Sequence, residues 1–131
     1  MEIHLRILGI IYILLAALHV AFPRYFNWLE ELKPLSLINR QMMQVHTFFI
    51  GLIVFGMGLL NLFCTADLIQ TALGRKICFG LFVFWGLRLL FQFFVYSGEL
   101  WKGKHFETTV HVLFSLLWGY CTAVYFLVWN A

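Results

Sequence analysis

The chain has 131 residues, 63% of them hydrophobic, 19% aromatic and 11% charged, with a net charge of +3. A soluble domain averages about 45–50% apolar and about 25% charged residues, so this chain lacks the charge to coat a water-soluble globule and is too apolar to stay disordered. Its nine Lys and Arg are scattered and form no basic stripe, which excludes nucleic acid as a partner and leaves a small integral membrane protein in a lipid bilayer.

Four apolar stretches are long enough to cross a bilayer: about 7–22, 44–64, 77–97 and 109–129. Backbone in hydrocarbon must bond to itself, and no stretch alternates at period two, so each is expected to be a helix rather than a barrel strand. The predicted fold is all-α: a four-helix transmembrane bundle in one membrane domain over 1–131.

The first stretch reads as a retained helix and not a signal peptide. Its N-terminal flank carries one fixed positive side chain, Arg6, no small-x-small cleavage site follows, and Phe22-Pro23 closes the run. Four spans put both termini on one side, here side A, and the loops 23–43 and 98–108 on side B. Side B holds Arg24, Lys33, Arg40, Lys102 and Lys104, and side A holds Arg6, Arg75 and Lys76. The side-B loops also contain Glu30, Glu31, Glu99 and Glu107, so the bias assigns no orientation.

In the first loop, Arg24–Lys33 places Phe26, Leu29 and Lys33 on one helical face beside Tyr25, Trp28 and Leu32, with Glu30 and Glu31 opposite. This predicts an interfacial amphipathic helix that Pro34 ends. It serves as a headgroup anchor or as a lid over a substrate. Ser36 is placed to cap the second span well before the bilayer, with Arg40 and Gln41 protruding from it.

Polar residues inside a span are costly and therefore informative. His19 near the end of the first span, His46 and His111 near the starts of the second and fourth, and Gln92 near the end of the third all fall near side B. Three imidazoles at one depth suit iron, copper or zinc, or the axial positions of haem b. Glu107, four residues before His111, would be a ligand or orient the ring, and Met42 and Met43 beside His46 add soft thioethers. The ordinary alternative is histidines that meet lipid headgroups one by one.

Arg88 is expected near the middle of the third span, at a cost of at least about 2.5–3.5 kcal/mol on the insertion scale. No Asp or Glu lies at its depth, so Tyr12, Ser115 and Trp118 are its candidate partners, Trp118 through a cation–π contact. Arg88, Gln92 and Tyr96 are four apart and share a helix face, a stripe suited to a bound anion or carbonyl group. Cys64, Cys78 and Cys121 are expected to remain free thiols. Gly51 and Gly58 mark close packing on the second helix. Ser115 has His111 four residues before it but no Asp follows in the span, so hydrolysis is a poor reading, and no phosphate loop occurs.

Three functions remain open at this stage. The first is a transition-metal or haem site at His19, His46, His111 and Glu107, with redox service to a quinone. The second is a cofactor-free accessory or assembly subunit that contacts other membrane subunits or itself. The third is an enzyme or carrier that grips a small anionic molecule at Arg88, Gln92 and Tyr96.

Overall fold

The computed structural model describes every residue from Met1 to Ala131. The protein is all-helical, with α1 (Glu2–Tyr25), α2 (Trp28–Glu31), α3 (Leu37–Phe63), α4 (Thr65–Gln70), α5 (Ala72–Phe94) and α6 (His105–Asn130). A short 3-10 turn, Gly98–Leu100, stands between α5 and α6.

α1, α3, α5 and α6 have 24, 27, 23 and 26 residues and are long and apolar enough to cross a membrane. At 1.5 Å per residue each runs roughly 35–40 Å, against a hydrocarbon core of about 30 Å. Large apolar side chains such as Phe48, Phe49, Leu113 and Leu116 are exposed, as a lipid solvent permits. Length and composition thus make the chain a small multi-pass membrane protein.

The helix ends differ from the sequence expectation for local reasons. α1 does not stop at Phe22 but passes through Pro23 to Tyr25. Proline in the last turn removes a single backbone bond, so the loss is small there. The helix breaks instead at Asn27, whose φ of 54° is left-handed, a conformation Asn tolerates better than most residues. The predicted amphipathic helix over Arg24–Lys33 is therefore divided. Arg24 and Tyr25 finish α1, and only the single turn Trp28–Glu31 forms α2. Trp28 is buried while Phe26 and Leu29 are exposed, and Lys33 pairs with Glu30 at 2.9 Å. Ser36 caps α3 as expected, accepting from the Asn39 N–H at 3.4 Å.

The chain forms two compact units. In the unit spanning Ile3–Thr65, α1 and α3 approach at Gly9 and Gly58. A Cβ on Gly9 would sit 3.1 Å from the Gly58 carbonyl oxygen, and one on Gly58 would sit 3.0 Å from that of Gly9. The helices touch backbone to backbone, which side chains on these positions would forbid.

The second unit comprises Ala66–Ala131 with Met1 and Glu2. Thr71 caps α5: its hydroxyl accepts from the Gly74 N–H at 2.9 Å and donates to the Asp67 carbonyl at 2.7 Å. A Cβ on Gly74 would collide with the Asp67 carbonyl oxygen and lie 2.6 Å from the Leu68 Cα. This corner fixes where α5 starts and hence which face it offers α6. α5 and α6 then bury Cys78, Leu81, Trp85, Trp118, Cys121, Val124, Tyr125 and Val128. α5 ends at Phe94 rather than near Ser97, and α6 starts at His105 rather than near Thr109.

Candidate ligand-binding site

The site lies within the second unit, where the C-terminal third of α5 meets the N-terminal half of α6. Arg88 is six residues from the last residue of α5, Phe94, and so about 9 Å from that end rather than at mid-span. Its guanidinium carbon lies 5.1 Å from the Trp118 ring centroid and 5.3 Å from that of Tyr96. The cation–π contact expected with Trp118 forms, and Tyr96 adds a second ring. Ser115 is not a partner, since its hydroxyl donates to the His111 carbonyl at 2.7 Å.

Gln92 links the two polar groups. It is 6% exposed, and its Oε1 accepts from Arg88 Nη1 at 3.2 Å. Its Nε2 lies 3.1 Å from His111 Nδ1 and 3.4 Å from the His111 carbonyl oxygen. Arginine only donates, so the amide oxygen must face Arg88 and the amide nitrogen must face His111. In a neutral ring His111 Nδ1 is then the acceptor and its proton sits on Nε2. The His111 ring stacks on Trp101 at 4.0 Å with an interplanar angle of 5°. Thr108 holds that loop residue, its hydroxyl donating to the Trp101 carbonyl at 2.6 Å.

The cluster is rich in donors and poor in acceptors. The guanidinium is positive, yet no carboxylate pairs with it. Gln92 occupies Nη1, which leaves the Nε–Nη2 edge of Arg88 without a protein hydrogen bond. Trp118 is 4% exposed and stacks on Trp85 at 5.0 Å, and its buried Nε1–H has no acceptor. A buried donor without a partner is costly, and a membrane offers no water to supply one.

Arg88, Gln92, Tyr96 and His111 thus come together, and Trp101 joins them. Sequence reasoning missed Trp101 because it lies in a loop, though its closeness to His111 in sequence was a usable signal. Glu107 is exposed and does not orient His111; Gln92 and Trp101 do. His19 and His46 belong to the other unit. His19 Nδ1 donates to the Leu15 carbonyl at 2.8 Å, and its Cβ closes on Gly51, 3.0 Å from where a glycine-to-alanine methyl would sit. His46, Met42 and Met43 are exposed. Neither unit gathers three His, Cys, Asp or Glu side chains fit to hold a metal ion, so the metal and haem expectation gains no support. No disulfide joins Cys64, Cys78 and Cys121.

Comparison of the chain with protein-family models, curated proteins and solved structures returns no match.

Proposed function

We propose that the protein binds a small membrane-soluble molecule whose polar head accepts hydrogen bonds at Arg88 and His111. One observation carries this reading: within a membrane-spanning helix pair, a cation stands without an acidic partner, with the Gln92 amide oxygen as its hydrogen-bond acceptor, beside an indole N–H that has no acceptor. A head bearing carbonyl or anionic oxygens supplies what the protein withholds. Gln92 orients the guanidinium, Tyr96 and Trp118 flank it, and Trp101 walls the His111 edge. The set suits binding, carriage or presentation of the molecule, and it contains no nucleophile poised for covalent chemistry.

The test is organic extraction of the protein purified in mild detergent, followed by mass spectrometry of the extract. A compound present at near one per chain should be depleted in Arg88→Gln. Identical extracts from both proteins would remove the reading.

A second reading, a transition metal or haem iron at His19, rests on the His19–Leu15 bond. That bond puts the proton on Nδ1 and leaves the Nε2 lone pair for a ligand, the arrangement usual for metal-bound imidazole. Iron, copper or zinc at near one per chain, lost in His19→Ala, would favour it over the first.

A further inference from the structure

Two edges of the Arg88 guanidinium differ in what they have left to give. Gln92 Oε1 takes Nη1, whereas Nε and Nη2, the pair that forms a two-donor fork, meet no protein acceptor. A fork of that shape matches a planar carboxylate through two parallel hydrogen bonds, and such charge-assisted pairs are about twice as strong as neutral ones. One uncompensated positive charge calls for one negative charge. A phosphate dianion would overshoot it, and a neutral carbonyl would fill one donor of the fork and leave the cation bare.

The surroundings specify the rest of the ligand. Four residues before Arg88 on α5 is Phe84, on the same helical face, with Leu87 adjacent; they are 46% and 52% exposed. A chain leaving the guanidinium towards the start of α5 therefore runs along apolar side chains open to lipid. The polar wall of Gln92, His111 and Trp101 lies in the other direction, towards the nearer helix end. Head and tail directions are thus assigned by the same helix face.

Resting on the reading that Arg88 grips an acceptor-headed amphiphile, we infer that the ligand is a long-chain monocarboxylate. It lies with its carboxylate on the Nε–Nη2 edge of Arg88 and its chain along Phe84 and Leu87.

The test uses the full-length protein in mild detergent and oleate as the probe, with methyl oleate, oleyl alcohol and a short-chain benzoquinone as comparators. Oleate should bind saturably at one per chain, and the ester and alcohol should bind at least about tenfold more weakly, since both lose the charge and the pair of equivalent acceptor oxygens. Arg88→Lys keeps the charge but not the fork and should lose most of that preference. Equal binding of oleate and its ester overturns the inference. Arg88-dependent binding of the quinone without oleate overturns the carboxylate assignment and leaves the broader reading standing. Binding of none of the four removes both.

Discussion

Gln92 offers the sharpest perturbation of the site. It is buried and its amide serves Arg88 on one side and His111 on the other. Gln92→Leu keeps the volume and deletes both links. Side-chain hydrogen bonds within membrane proteins average about 0.6 kcal/mol and reach about 1.7, so two of them, one to a cation, are worth about 1–3 kcal/mol. Gln92→Glu acts differently. A carboxylate at the 3.2 Å spacing of the present bond would attract Arg88 by about 5 kcal/mol at an effective dielectric of 20, before its own desolvation is subtracted. The expected result is a Leu variant destabilised by about 1–3 kcal/mol and a Glu variant near wild type. The Glu variant should bind an anionic ligand at least about tenfold more weakly, because the cation is already neutralised. Denaturation by SDS in mixed micelles, followed by circular dichroism, measures the first effect, and ligand titration measures the second. Wild-type stability in the Leu variant would refute the amide as a structural link. Undiminished anion binding in the Glu variant would refute the role of the Arg88 charge.

Further outcomes follow from the same geometry. Gly74→Ala drives a methyl into the Asp67 carbonyl and should cost about 2–4 kcal/mol through overpacking and lost capping bonds. Gly80→Ala, where a Cβ meets nothing within 4 Å, should gain up to about 1 kcal/mol of helix propensity, and the pair compared by SDS denaturation checks both signs. Gly58→Leu should separate α1 from α3 and cost about 3 kcal/mol or more in the same assay, since the opposing atoms include backbone. Trp118→Phe removes a buried donor that has no acceptor but also leaves a cavity where the larger ring packs on Trp85, so thermal unfolding should show a net loss of about 1–2 kcal/mol, less than a cavity of that size costs alone. Elemental analysis without chelator should give well under one iron, copper or zinc per chain; near-stoichiometric metal lost in His19→Ala would favour the histidine reading.

The number and rough position of the spans were legible because a run of apolar residues has one stable solution in hydrocarbon. Their ends were not, because caps and breaks are set by single residues. Ser36 was readable as a cap, whereas the left-handed turn at Asn27 and the tolerance of Pro23 depend on backbone angles that composition does not carry. The Arg88–Gln92–Tyr96 face was readable from spacing alone, and Trp118 from the need of a cation for a partner. The histidine layer rested on depth, which fixes height along a helix but not direction around it. His111 turned to Gln92 and Trp101, and His19 to its own helix carbonyl. Gly9 went unnoticed because a glycine in an apolar run shows its purpose only when its opposite number, Gly58, is in view.

The division into a unit of α1–α3 and a unit of α4–α6 bears on how the chain is made. Gly9 and Gly58 are both available to meet once the second span has left the ribosome, before any of α5 is synthesised. Insertion can therefore proceed hairpin by hairpin, with no long wait for a distant segment. The chain should tolerate being severed at the Thr65–Ala66 junction and supplied as two separately translated halves. The binding site would be delivered whole by the second half, because each of its residues, from Arg88 to Trp118, is encoded there.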